Sequence, residues 1–149
     1  MSGLRFRNVD ADPADPPDQW PMEAVLTAVE RGALADWRRL ADATRADPWG
    51  PTARSLLEIA GWGEPGGVAQ LLAGIVRDER ERLILEGRRR HAERIRALRK
   101  ATGLTLKEFA RRVGTSPSRL SAYENARVSP TTDVLGRIEA AARRGPSPA

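Results

Sequence analysis

The chain has 149 residues, a length sufficient for one ordinary domain or two small ones, and 40% of the residues are hydrophobic and 30% charged. With no cysteine and a single histidine, His91, it can form neither a disulfide framework nor a zinc site of the usual Cys/His kind. No apolar run approaches the roughly 20 residues that span a bilayer, and residues 1–10 lack the apolar stretch of a signal peptide. We therefore expect a cytoplasmic protein with no metal, no cofactor and no membrane partner.

The net charge of +5 is unevenly distributed along the chain. Residues 1–75 carry seven Lys/Arg and eleven Asp/Glu, net −4, whereas residues 76–149 carry eighteen and nine, net +9. All four tryptophans precede the basic half. A basic half suits a phosphate-rich partner, because each neutralised phosphate releases condensed counterions, and such a partner would repel the acidic half. The asymmetry predicts two structural units.

The acidic half is predicted to begin with an extended arm rich in proline and aspartate, residues 1–21, because DADPADPPDQWP cannot form a helix or a central strand. Four amphipathic helices are predicted within residues 22–76, where proline and glycine mark their ends. The first begins at Pro21 and stops at Gly32, the second covers about 34–46, the third runs from Pro51 to Gly61, and the fourth follows residues 65–67. A domain of about 55 residues is marginal alone, so we expect dimerisation or a partner protein to support it.

Residues 77–90 are predicted to form a charged helical connector. Opposite charges such as Asp78 and Arg82 lie four residues apart, where side chains meet on a helix surface, and Gly74 and Gly87 are its weak points. The apolar residues 83–85 in its middle leave three interpretations open: a solvated linker helix, a helix that packs back on a domain, or part of a dimer seam.

Residues 91–143 have start and stop signals at close intervals. The first helix, HAERIRALRKA, ends at Thr102-Gly103, Thr105 caps the second helix, and Glu108 three positions later completes a capping box. Gly114 then supplies the positive φ that a short turn needs. Helix, short glycine turn and helix together favour a helix-turn-helix motif.

The third helix of this region is predicted to begin after the cap Ser116, with Pro117 in its first position, and Ser129-Pro130 signals the start of a last helix. Apolar residues at helical spacing predict the core that these helices share: Ile95, Leu98, Phe109, Ala110, Val113, Leu120, Tyr123, Val134, Leu135 and Ile138. Ala110 is the small residue that two closely crossing helices need at their contact.

The stretch LRKATGLTLKEFARRVGTSPSRLSAYENARVSP resembles the Xre family, the Cro and phage-repressor type of helix-turn-helix regulator. Its apolar spacing, the turn glycine, the Tyr-Glu near the end of the third helix and the later Ser-Pro carry the resemblance. The elements together predict an all-α protein. A small N-terminal helical domain (22–76) is joined by a long charged helix (77–90) to a C-terminal helix-turn-helix domain (91–143), followed by a disordered tail (144–149).

The resemblance implies that the third helix, 117–125, enters the major groove of duplex DNA. Arg119 is expected either to bind guanine through two hydrogen bonds or to hold a phosphate. The full set of implied base-reading residues is Pro117, Ser118, Arg119, Ser121 and Ala122. The phosphate candidates are Thr105, Lys107, Thr115, Ser116, Asn125 and Arg127, through side chains and exposed helix-start amides. Lys107 and Arg127 fit a merely solvated surface equally well.

The family's structural pair, an arginine of the first helix with the glutamate near the end of the third, corresponds here to Arg99 and Glu124. Two residues depart from the family pattern. Leu106 stands where the family commonly has a glutamine that bonds the phosphate backbone and orients a base-reading side chain. Its loss would weaken DNA affinity or specificity, but the eighteen basic residues of this half argue against a loss of DNA binding. Ala126 stands where glycine commonly follows Glu-Asn.

The resemblance further implies a sequence-specific transcriptional regulator that binds a pseudo-palindromic operator as a homodimer, because one module buries little surface. Small Xre-type proteins with an added domain are often antitoxins, which neutralise a co-encoded toxin and repress their shared promoter. Residues 1–76 are accordingly expected to bind a toxin or another protein, or to dimerise. The alternatives are a regulator with no toxin partner and an adaptor that has lost DNA binding. No catalytic constellation assembles, so we do not expect an enzyme.

Overall fold

The structure is a computed structural model that describes residues 3–63 and 67–145, and its regular structure over these residues is entirely helical. This confirms the predicted all-α fold class. A short 3₁₀ turn, Pro17–Gln19, precedes the α-helices. In chain order these are α1 Met22–Arg31, α2 Leu34–Ala46, α3 Pro51–Trp62, α4 Val68–Thr102, α5 Leu106–Val113, α6 Pro117–Glu124 and α7 Thr132–Arg143. None of the described helices is long and apolar enough to cross a membrane.

The chain divides into two compact units, Met1–Arg82 (the N-terminal unit) and Leu83–Ala149 (the C-terminal unit), and the division falls inside α4. The fourth predicted helix, the charged connector and the first helix of the C-terminal motif are therefore one uninterrupted helix of 35 residues. Gly74 and Gly87 do not break it, because a helical glycine costs only about 1 kcal/mol and no proline lies within α4.

The core of the N-terminal unit lies between α1, α2, α3 and the first turns of α4. Its best buried apolar side chains include Val25, Leu40, Leu56 and Val76, all with no exposed surface. Trp37 belongs to the same packing, since its indole N–H donates to the carbonyl oxygen of Ala28 at 3.0 Å. Four helices thus bury their apolar faces against one another, as their periodicity predicts.

The described part of the segment predicted as an extended arm, residues 3–21, has turns and the short 3₁₀ turn Pro17–Gln19 and lies against this core. Leu4 and Trp20 are buried in it, and the rings of Phe6 and Trp20 pack edge-to-face with their centroids 5.1 Å apart. The guanidinium of Arg39 in α2 lies 5.1 Å from the Trp20 ring centroid and donates to the carbonyl oxygens of Pro13 and Asp15 at 2.6 and 2.9 Å. These contacts hold the segment on α2.

Three predicted helix ends are wrong by one to three residues. Pro21 precedes α1 as its N-cap, in extended conformation, and α3 continues through Gly61 to Trp62. The last helix begins after Thr131, whose hydroxyl oxygen accepts the N–H of Val134 at 3.3 Å, and not at Ser129-Pro130. Thr131 can cap a helix in the same way as Ser129, and the Thr131 cap is the one that forms. Pro65 and Gly66, which were predicted to precede the fourth helix, and residues 146–149 of the predicted tail lie outside the described residues.

Candidate nucleic-acid interface

The C-terminal unit is built around Phe109, which has no exposed surface. The C-terminal part of α4 contributes Ile95 to this core, and α5, α6 and α7 close around it. Ala110, also fully buried, is the small residue at the helix contact. The buried residues of this core are Ile95, Phe109, Ala110, Val113, Leu120, Tyr123, Val134, Ile138 and Ala141, with Leu98, Leu104, Leu106 and Leu135 packed against them.

Local hydrogen bonds set the start of α5 and of α6. The hydroxyl oxygen of Thr105 accepts the N–H of Glu108 at 3.2 Å, and the Glu108 carboxylate accepts the N–H of Thr105 at 2.9 Å, which forms the capping box. Gly114 ends α5 at φ 80°, a left-handed conformation that favours glycine. Ser116 then caps α6 by accepting the N–H of Arg119 at 3.1 Å. The turn between α5 and α6 is thereby fixed from both sides.

The capping box makes the stability of α5 depend on pH. The hydrogen bond from the Thr105 backbone N–H lowers the pKa of Glu108, and the Thr105 hydroxyl lowers it further. Slight burial raises this pKa, whereas the positive charges of Arg111 and Arg112 lower it. A carboxyl whose pKa is lower in the folded state than in the unfolded state stabilises the fold at neutral pH. That contribution is lost as pH falls through the lowered value.

We therefore expect Glu108→Gln to lower the melting temperature of the C-terminal unit at pH 7 and to have a smaller effect as the pH falls through the lowered pKa of Glu108, where the wild-type carboxyl becomes protonated. Thermal unfolding of both proteins between pH 7 and pH 3 measures the difference. Glu81→Gln, in the exposed part of α4, is the control. A difference between wild type and Glu108→Gln that stays constant over this range would contradict the assignment.

The predicted base-reading residues all lie on α6. Pro117, Ser118 and Arg119 are exposed, whereas Ser121 and Ala122 are half-buried. Among the described residues, no partner holds the Arg119 guanidinium, so its five donors are available to a ligand. The exposed start of α6 therefore offers one strong hydrogen-bonding cation and two small residues that allow close approach.

The predicted phosphate-binding residues lie at the start of α5, in the turn before α6 and just after the end of α6. Thr105, Lys107, Ser116, Asn125 and Arg127 are exposed and Thr115 is half-buried. Thr105 and Ser116 use their hydroxyl oxygens as acceptors in the caps, which leaves each O–H free to donate to a phosphate. Asn125 is partly committed, because its Nδ2 donates to the carbonyl oxygen of Ser121 at 2.8 Å. The side chains best suited to an anion are thus the two caps and the two free cations.

Arg99 of α4 and Glu124 of α6 are paired. Arg99 Nε donates to Glu124 Oε1 at 2.9 Å, and the glutamate side chain is only 6% exposed, against 30% for the arginine. Thr102 donates its hydroxyl to the carbonyl oxygen of Arg99 at 2.5 Å. Arg96, one turn before Arg99 on the same face, donates to the backbone carbonyl of Glu124. Two arginines of α4 therefore fix the C-terminal end of α6 and, with it, the angle at which α6 is presented.

Sequence reasoning missed Arg96 and Arg111. Arg96 caps the end of α6, and its spacing of three from Arg99 was the available signal. Arg111 is exposed on α5 one turn after Lys107, so the same helix surface presents two cations. Residues 83–145 carry fifteen Lys/Arg against six Asp/Glu, net +9, while the N-terminal unit carries ten against fourteen, net −4. The positive charge is therefore concentrated in the unit that presents α6.

The two departures from the family pattern have different structural settings. Leu106, in the first turn of α5, packs against the core of the C-terminal unit, so it replaces a polar group with apolar contact. Ala126 has φ 57°, in the left-handed region that favours glycine and costs other residues about 1–2 kcal/mol. The family's preference for glycine at this position follows from that backbone conformation.

We expect Ala126→Gly to raise the free energy of unfolding of the C-terminal unit by about 1 kcal/mol, because the relief of the left-handed conformation exceeds the extra entropy of an unfolded glycine. The same change at exposed Ala97, inside α4, is expected to lower it by about 1 kcal/mol. Urea unfolding of the two variants gives both values. Destabilisation by both substitutions would contradict the positive φ at Ala126.

Comparison with known proteins agrees with this geometry. Residues 95–147, about a third of the chain, match the family model HTH_3, described as "Helix-turn-helix". No curated protein and no solved structure matches the chain. The matched range contains α5, the Gly114 turn, α6 and α7, together with the last turns of α4. Residues 95–147 are thus similar to helix-turn-helix domains, and the described part of this range has the corresponding helices.

Proposed function

We propose that the protein is a sequence-specific transcriptional regulator that inserts α6 into the major groove of its operator. One observation carries the proposal: the exposed start of α6 presents the unpaired Arg119, while Arg99 and Arg96 hold the other end of the same helix. A side chain can read bases only if its helix is held at a defined angle. The donor capacity of Arg119 suits the paired acceptors on the guanine edge.

The remaining contacts of the proposed complex are to phosphates. Lys107, Arg111 and Arg127 supply exposed cations next to α6, and the caps Thr105 and Ser116 supply hydroxyl donors beside exposed helix-start amides. Such contacts position the domain without reading sequence. The net charge of +9 in this unit, against −4 in the N-terminal unit, orients the protein so that the helix-turn-helix domain approaches DNA first.

A homodimer on a pseudo-palindromic operator completes the proposal. One domain of this size buries too little DNA surface for tight specific binding, whereas two copies read half-sites about one helical turn, or roughly 34–36 Å, apart. Base-reading residues are then Pro117, Ser118, Arg119, Ser121 and Ala122, of which Arg119 contributes most of the discrimination. The protein acts in the cytoplasm, where its operator lies.

The N-terminal unit is proposed to bind a second protein chain. In the finer form of the proposal the protein is an autorepressing antitoxin: the N-terminal unit holds a co-encoded toxin and the helix-turn-helix domain represses the shared promoter. The opposite charges of the two units support this division of labour, because the acidic unit is unsuited to DNA. The alternative is a regulator that makes the same DNA contacts but has no toxin partner.

The experiment is binding of the purified full chain to a labelled duplex of its own upstream region, with a shuffled duplex as the control, followed by addition of the adjacent gene product. A regulator shifts the upstream duplex at concentrations that leave the shuffled one free, and footprinting shows two protected half-sites. A change of this binding on addition of the neighbouring protein supports the antitoxin. Specific binding that the neighbour leaves unchanged contradicts the antitoxin and leaves the regulator.

The adaptor alternative has one observation in its favour. Leu106 removes a polar side chain from the first turn of α5, where the family has a phosphate-binding glutamine. An adaptor binds neither duplex at low salt, so the same experiment separates it from the regulator. Leu106→Gln is the matching variant, and in a regulator it is expected to strengthen DNA binding.

A further inference from the structure

An apolar cleft of about 410 Å³ lies on the N-terminal unit, between α2 and the first two turns of α4. Ala41 and Leu72 are almost fully buried beneath it, at 6% and 3% exposed. Leu34 and Leu71 line the same cleft but remain 57% and 67% exposed. Large apolar side chains that gather in an open cleft mark an interaction surface more often than scattered ones do.

The cleft is shaped for another helix. Leu34, Trp37 and Ala41 recur at helical spacing along α2, and Leu71 and Ile75 do so along α4. Rows of apolar side chains on two helices that line one cleft form the kind of groove into which a further helix packs. Leu71, the most exposed of these side chains, protrudes from the surface and can insert into the same groove of a second copy.

The rim of the cleft carries charges of both signs. Arg38 and Arg45 of α2 line it, with Asp42 between them. Asp42 pairs with Arg45 at 3.4 Å, yet their side chains are 77% and 52% exposed. An exposed pair of this kind contributes little and is readily exchanged for another. A strongly basic partner would meet repulsion here, whereas a second copy of the same rim can place each Asp42 against an arginine of the other copy.

We propose that this cleft, which we call the α2–α4 cleft, is the surface through which two copies of the chain associate about a two-fold axis. In such an interface every contact occurs twice with the roles exchanged, so Leu71 of each copy enters the cleft of the other. Association removes Leu34 and Leu71 from water. The inference rests on the proposed function in that a pseudo-palindromic operator requires two copies.

The test is the oligomeric state of the full chain, measured by sedimentation velocity over a range of concentrations. Leu71→Glu and, separately, Leu34→Glu place a charge in the proposed interface and are expected to raise the dimer dissociation constant roughly 100-fold. Both side chains are mostly exposed, so thermal unfolding should remain close to that of wild type. Ile84→Glu is the matched control: Ile84 is 47% exposed on α4 but does not line the cleft.

A wild-type dimer that both cleft variants weaken and Ile84→Glu leaves intact supports the inference. A wild-type monomer at tens of micromolar overturns it, as do cleft variants that dimerise like wild type. Dissociation by Ile84→Glu alone also overturns it and places the seam at residues 83–85. The same samples tested on DNA keep the two proposals separate. A wild-type monomer that still binds one half-site refutes the cleft dimer only, and a dimer that binds no DNA refutes the regulator only.

Discussion

Replacing Arg99 with alanine is expected to lower the free energy of unfolding of the C-terminal unit by about 3 kcal/mol. The reason is the carboxylate left behind: Glu124 is 6% exposed, and Arg99 supplies its paired cation at 2.9 Å. Removing one partner of a buried pair leaves an uncompensated charge, which costs more than the pair contributes. The arginine itself is 30% exposed, so water can partly replace it, and the expected value lies at the low end for buried pairs.

The measurement is urea unfolding of the full chain followed by far-ultraviolet circular dichroism. Tryptophan fluorescence assigns the transitions, because all four tryptophans lie in the N-terminal unit. Arg94→Ala is the control, since Arg94 pairs with Glu139 at 3.1 Å but both side chains are exposed, at 60% and 36%, and its loss should cost under about 1 kcal/mol.

Adding Glu124→Gln to Arg99→Ala should recover part of the lost free energy of unfolding, because a neutral amide is less costly to bury than a carboxylate. Equal effects of Arg99→Ala and Arg94→Ala would show that Glu124 does not depend on Arg99.

The second large effect is on recognition. Arg119→Ala is expected to reduce discrimination between the operator and an operator mutated at the guanine it reads by about 1–3 kcal/mol, because two hydrogen bonds to one base edge are lost. Affinity for random duplex should change much less. Arg119→Lys retains the charge but not the paired donors, so it should lose most of the discrimination as well.

Lys107→Ala is the control for this experiment. Lys107 is exposed in the first turn of α5, and as a phosphate contact it should weaken binding to every duplex alike and reduce the salt slope by about one. Fluorescence anisotropy on operator, mutated operator and random duplex gives all the affinities. If Arg119→Ala weakens the three duplexes equally, the side chain holds a phosphate and does not read a base.

Features of the helix-turn-helix region that depend on neighbouring residues could be predicted from the sequence. The capping box of Thr105 and Glu108, the left-handed Gly114 and the Ser116 cap each involve groups within about four positions, so composition and spacing are enough to indicate them. The core of the C-terminal unit could be predicted for the same reason, since helical periodicity places Phe109 and Leu120 on the inner faces of their helices.

Features that depend on distant contacts could not be predicted in this way. Arg39 holds the segment of residues 13–20 across more than twenty positions, which no local pattern encodes. The long helix joining the two halves was predicted from the sequence, and the predicted weak points Gly74 and Gly87 are tolerated within α4. Thr131 was overlooked because the adjacent Ser129-Pro130 has the same chemistry as a start signal. The positive φ of Ala126 also lies beyond sequence patterns, since alanine rarely adopts it.

The central claim is that the basic C-terminal unit binds duplex DNA through α6 and the phosphates beside it. The most direct test is a salt titration of the full chain on its upstream duplex and on a shuffled duplex. We expect tighter binding to the upstream duplex at every salt concentration. We also expect the logarithm of the binding constant to fall linearly with the logarithm of the salt concentration, by about 0.9 for each neutralised phosphate. Absence of binding to either duplex at low salt would contradict DNA binding by this unit.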